Sequence, residues 1–313
     1  MPKMRRIEAN EHLMADSTDI FPDPFAMNRR ALLGWGAVLL TFGPMTVADA
    51  LAATDSAVAF SSSRLGVTTS GSRAAGGHDV LLIPGLASGP AIWSGLQARL
   101  SGHRLHLVHI AGFAGKPAGL NRSGALLGPL TQELVRYVSE RKLQKPAIIG
   151  HSMGGTLAMM TGLQAKGRID RVMVVDMLPA GAGMLGGTSQ GLGYIAEQLN
   201  GYFTGTKAGR QLLANMISQT PGARDSDPNV IAQALTELAR TDLTAQLSSL
   251  GCPLTVVHAL SADRDVAVAQ KQRFRAAYSN ATRPNIEGIG PSGHMVMIDQ
   301  AEKFASAVRG FLA

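Results

Sequence analysis

The chain has 313 residues, 45% hydrophobic and 16% charged, which suits one large domain or a domain with an insertion and excludes a disordered polymer. Its formal charge is +7, but lysine and arginine are scattered and aromatics make up only 5%, so no basic stripe or stacking platform for nucleic acid is present and no nucleic-acid partner is expected. Cys252 is the single cysteine, which excludes an intramolecular disulfide and a cysteine-based metal cluster.

In chain order, residues 1–26 are polar and punctuated by proline, and Asn28-Arg29-Arg30 then precedes the apolar stretch Ala31 to Gly43. A charged n-region, an apolar core and small residues at Ala48, Ala50 and Ala52 have the order of an export signal cleaved near residue 51 or 53. The paired arginines resemble a twin-arginine signal, so an export machinery is an expected partner and a periplasmic or secreted location is expected. A membrane anchor over residues 31–47 is the alternative, and Met27 is an alternative start.

Short apolar runs follow at Val80 to Ile83, Leu105 to Ile110, Ala147 to Ile149, Arg171 to Val175 and Leu254 to Ala259, with a further strand expected over Arg283 to Ile289. Stretches with apolar residues at helical spacing alternate with them: Ala91 to Leu100, Gly124 to Arg141, Thr156 to Gln164 and Ala301 to Phe311. This alternation predicts a parallel sheet with helices on both faces. Ala57 to Thr69 reads as an opening antiparallel hairpin. Between Leu178 and Leu250 the rhythm breaks: a glycine-rich lead-in is followed by helical patterns over Tyr194 to Phe203, Lys207 to Ser218 and Asn229 to Leu238, which reads as a helical lid.

Gly-x-Ser-x-Gly occurs twice. At Gly187 to Gly191 it lies in the glycine-rich lead-in with no strand before it. Gly150-His151-Ser152-Met153-Gly154 follows Ala147-Ile148-Ile149 directly and runs into a helix opening at Thr156. Strand, turn and helix in that order hold a serine exposed on a sharp bend, so Ser152 is the candidate nucleophile. Its base is expected late in the chain, and His294 stands in Gly288-Ile289-Gly290-Pro291-Ser292-Gly293-His294, between the last strand and the last helix. His258 falls within a strand, His109 ends one, His103 and His106 flank another, and His151 is expected to line the pocket beside the nucleophile.

With Ser152 and His294 in these places, residues 57 to 313 resemble the α/β-hydrolase family. The resemblance implies a mostly parallel eight-stranded sheet flanked by helices in residues 53–313, with a helical lid over about 178–250, after an extension and signal in residues 1–52. Pro84-Gly85-Leu86 matches the loop after the family's third strand, where His-Gly-x is common, so Leu86 N–H would form half of the oxyanion hole and Met153 N–H the other half. Ala111-Gly112-Phe113-Ala114-Gly115 resembles the glycine-rich turn after the fourth strand. The family's acid commonly follows the seventh strand, which points to Asp263, with Asp265 two residues on; in some relatives it follows the sixth, which points to Asp176.

The chemistry implied is attack of Ser152 Oγ on an acyl carbon, an acyl-enzyme and its hydrolysis, with neither metal nor organic cofactor. The lid's apolar residues favour a small ester-like substrate with an apolar part. Lactones, amides and carbon-carbon bonds are alternatives within the same constellation, and a catalytically weak, hydrolase-like binding protein is the alternative from another class.

Overall fold

The computed structural model describes residues 60–181 and 223–313. The export-type segment, the helical patterns at 194–203 and 207–218, and the second Gly-x-Ser-x-Gly at 187–191 lie outside the described residues.

One sheet organises the rest. Its strands are β1 (Leu65–Ser70), β2 (Asp79–Ile83), β3 (Arg104–Ile110), β4 (Ala147–His151), β5 (Arg171–Val175), β6 (Leu254–Ala259) and β7 (Asn285–Ile289), in the order β1-β3-β2-β4-β5-β6-β7. Only β1 runs antiparallel, pairing Leu65 with Ile110 and Ser70 with Leu105. The helices are α1 (Ser94–Gln97), α2 (Leu127–Glu140), α3 (Met153–Gln164), α4 (Pro228–Arg240), α5 (Arg264–Ala277), α6 (Val296–Asp299) and α7 (Ala301–Leu312).

The strands read as continuous apolar runs because both faces of the sheet are covered. Alternate residues serve the two cores. Leu81, Ile83, Ile148 and Val174 pack with Leu130, Leu134 and Leu157 of α2 and α3. Val80, Leu82, Ile149 and Val175 pack with Trp93, Leu96, Phe304 and Val308. Each such fully buried side chain contributes about 1.5–3 kcal/mol, and α3, buried on nearly all sides, is the central helix.

Two expectations are corrected. Of the expected opening hairpin, the described residues from Phe60 onward hold a single strand, because Ser62 Oγ accepts the Arg64 and Leu65 N–H groups and turns the chain, while Phe60 lies edge-on against Tyr137 of α2. The described residues therefore give seven strands rather than eight. Residues 264–277, to which the sequence reading assigned no element, form α5, which buries only Phe274 and so lacks an apolar stripe.

The described part of the insertion is rooted on itself and on the body. Gly181 N–H donates to Thr241 O and Leu243 N–H to Pro179 O, so departing and returning chain run side by side. The Glu237 carboxylate of α4 accepts the Leu126 and Leu127 N–H groups at 2.7 and 2.8 Å, capping α2, whose own N-cap supplies no side-chain bond.

The strand order fixes where a site forms. From β2 the chain moves outward to β3, whereas from β4 it moves the other way to β5, so a crevice opens at the C-terminal ends of the adjacent strands β2 and β4. Leu86 follows β2 and Ser152 follows β4.

Candidate active site

Ser152 has φ 53 and ψ −124, a backbone conformation costly for a residue with a Cβ. The sheet and helix jointly impose it: Ser152 N–H continues the ladder to Val175 O at 2.9 Å, and its carbonyl accepts Gly155 N–H at 2.7 Å. The flanking glycines are required by close approach. A Cβ on Gly150 would strike the Gly154 carbonyl, and one on Gly154 would strike the carbonyls of Ile83 and Pro84. The bend therefore puts the serine side chain at the crevice, half-buried.

Around it, Leu86, Ser152, Met177, Gly181, Leu235, Leu238 and His294 line one cavity of about 290 Å³. A larger one, about 430 Å³, lies before β6 and β7 beside Cys252 and Arg283 and holds none of these residues. Neither Leu86 N–H nor Met153 N–H has a backbone acceptor among the described residues. Met153 opens α3, where the helix leaves its first N–H groups unbonded and concentrates partial positive charge.

His294 Nδ1–H donates to Asp176 Oδ2 at 2.7 Å. Asp176 stands immediately after β5 at φ 49, its N–H on Val257 O at 2.7 Å and its Oδ1 accepting Ala259 N–H at 2.9 Å. Its side chain is 10% exposed, that of His294 45%. A carboxylate on Nδ1–H fixes the tautomer and leaves Nε2 unprotonated, able to accept a proton.

The carboxylate on His294 is thus Asp176 and not Asp263. Asp263 is the N-cap of α5, its Oδ1 accepting the Asp265 and Val266 N–H groups at 2.9 and 3.0 Å, and Asp265 lies exposed in the first turn of that helix. His151 is also placed differently from expectation. It is buried rather than lining the cavity, with Nε2–H donating to His294 O at 2.9 Å. Burial, reinforced by the neighbouring His294, pushes its pKa down to about 3.

The other histidines serve the body. His106 bridges Asp79 and Tyr137 inside β3, His258 stacks on Phe274 with ring centroids 4.4 Å apart, and His109 Nε2–H donates to Phe113 O. Sequence reading did not single out Met177, Leu235 and Leu238 as cavity wall. Leu235 and Leu238 carry a signal in retrospect, being three residues apart on one face of α4.

A profile described as the alpha/beta hydrolase family matches residues 80–307. A pimeloyl-[acyl-carrier protein] methyl ester esterase of Aliivibrio salmonicida is 27% identical over 254 residues, covering 75% of this chain and 92% of that one. Among solved structures, MenH from S. aureus superposes with a TM-score of 0.62 at 12% identity, covering 80% of this chain and 98% of that one. A thermophilic esterase from Thermogutta terrifontis gives 0.59 at 18% identity, covering 79% and 92%.

Proposed function

Because the chain belongs to the alpha/beta hydrolase family, we propose that it is a serine esterase that cleaves carboxylic esters carrying an apolar acyl group, with Ser152 as nucleophile, His294 as general base and Asp176 as its acid partner. The observation that carries this reading is that Ser152, on its strained bend, and His294, held by Asp176, line the same apolar-walled cavity.

His294 Nε2 takes the hydroxyl proton as Ser152 Oγ attacks the acyl carbon, and the developing oxyanion is held by Leu86 N–H and Met153 N–H. The imidazolium gives its proton to the departing alkoxide, leaving an acyl-serine. Water, deprotonated by the same nitrogen, then releases the acid. Asp176 stabilises the imidazolium without taking its proton. Leu86, Met177, Leu235 and Leu238 offer an apolar wall to the acyl chain.

The methyl ester esterases among the relatives favour an ester over a lactone or amide. The bond from His294 to Asp176 gives the base a carboxylate partner and favours catalysis over a hydrolase-like binding protein. The test is a panel of methyl and p-nitrophenyl esters, lactones and amides of matched acyl length, run on wild type and Ser152→Ala. Ester turnover lost in the variant is the expected outcome; a folded wild-type enzyme that turns over no ester would remove the proposal.

A further inference from the structure

Beside the triad, one buried side chain touches both halves of the proposed machinery. His151 is 2% exposed, at the end of β4, one residue before the nucleophile. A carbonyl oxygen can only accept, so the contact with His294 O assigns the proton to Nε2 and makes His151 a donor. The imidazole lies against the His294 ring with centroids 4.6 Å apart and planes tilted by 50°. Its other side faces the oxyanion loop. A Cβ on Gly85 would stand 2.8 Å from Nδ1, so that loop rests directly on the ring, and Nδ1 has no hydrogen-bond partner.

The loop that carries His294 depends on such tethers. Gly293 N–H is held by Asp299 and Ser292 N–H by Leu260 O, but at His294 itself the only backbone anchor among the described residues is the bond from His151. Among the described residues, the one hydrogen bond of the His294 ring is Nδ1–H on Asp176. One bond to a ring nitrogen leaves the residue free to pivot about that contact; a second, at its own carbonyl, removes that freedom.

We propose that His151 is a positioning residue: its Nε2–H bond to the His294 carbonyl and its packing under Gly85 set the base and the oxyanion loop in register around Ser152. This rests on the esterase reading for its catalytic consequence, though the anchor itself does not.

Two substitutions separate the bond from the bulk. His151→Phe keeps a ring in the pocket and removes the donor, whereas His151→Gln places an amide N–H at similar reach. Two readouts are taken on each: kcat and KM on the best ester of the panel, and hydrogen–deuterium exchange of the peptide spanning residues 290–295. In His151→Phe we expect kcat to fall about 10–100-fold with KM within about threefold, and exchange of the peptide to quicken. In His151→Gln most of both losses should be recovered. Unchanged kcat in His151→Phe, or equal losses in the two variants, would overturn the proposal. A wild type inert on every ester would overturn the esterase reading instead, and the anchor would then stand or fall on whether exchange quickens in His151→Phe and recovers in His151→Gln.

Discussion

Replacing Asp176 by asparagine distinguishes the carboxylate that holds His294 from the aspartate that caps a helix. In the native site Oδ1 accepts Ala259 N–H and Oδ2 accepts His294 Nδ1–H. An asparagine has one acceptor oxygen, and the Ala259 amide, which can only donate, draws that oxygen to itself. The asparagine NH₂ is then turned on His294 Nδ1, which must accept, so the proton moves to Nε2 and the base can no longer take one from Ser152. Loss of the correct tautomer in a serine triad costs about 10⁴ in kcat, equivalent to about 5 kcal/mol at about 1.36 kcal/mol per tenfold. Because the Ala259 bond survives, the melting temperature should change little. Asp263→Ala should do the opposite: loss of an N-cap bonded to two amides costs about 1 kcal/mol, a drop of about 2–4 °C, with kcat within about twofold. Ester turnover and thermal unfolding measured on both proteins decide the matter. Turnover retained in Asp176→Asn, or abolished in a folded Asp263→Ala, would refute the reasoning.

Further outcomes follow from other contacts. Gly85→Ala places a Cβ 2.8 Å from His151 Nδ1 and 3.0 Å from Ser152 Cβ, so the loop over residues 84–86 must lift; with Leu86 N–H as the proposed oxyanion donor, kcat should fall at least about tenfold and stability by about 1–3 kcal/mol, and a wild-type kcat would contradict the close approach. Glu237→Ala strips two N–H groups at the start of α2 of their acceptor and should cost about 1–3 kcal/mol in urea unfolding, whereas an unchanged midpoint would mean the cap is dispensable. Burial lowers the His151 pKa to about 3, against about 6.5 in the unfolded chain. Its folded pKa being the lower, the unfolded state binds the proton first, so its contribution is complete above about pH 6.5 and is lost as pH falls toward about 3. By pH 4.5 that amounts to about 3 kcal/mol, and urea midpoints at pH 7 and 4.5 should show a smaller difference in His151→Phe than in wild type; equal differences would count against a buried neutral imidazole.

How far the sequence reveals this molecule depends on where each element's energy comes from. β2 to β6 are legible as apolar runs because their residues are buried on both faces, and Ser152 because its pentapeptide follows an apolar run directly and opens into a helical pattern. α5 is hidden from periodicity because it buries only Phe274, and its true signal was the capping Asp263, whose side chain serves the helix N-terminus. The choice among aspartates turns on backbone geometry: Asp176 emerges at φ 49 between two strand carbonyl ladders, a conformation that aspartate tolerates better than most residues but that no spacing rule announces. The orientation of His151 depends on a loop more than 140 positions away in the chain, and nothing local to Gly150 or Ser152 encodes it.

The central claim is that Ser152 is an activated nucleophile. Treating the folded protein with a fluorophosphonate and digesting it for mass spectrometry tests that without knowledge of the substrate. One phosphonyl adduct per chain on the peptide containing Ser152, absent in Ser152→Ala and strongly slowed in Asp176→Asn, is the expected result. A folded protein that takes up no label, or takes it up on another residue, would contradict the account.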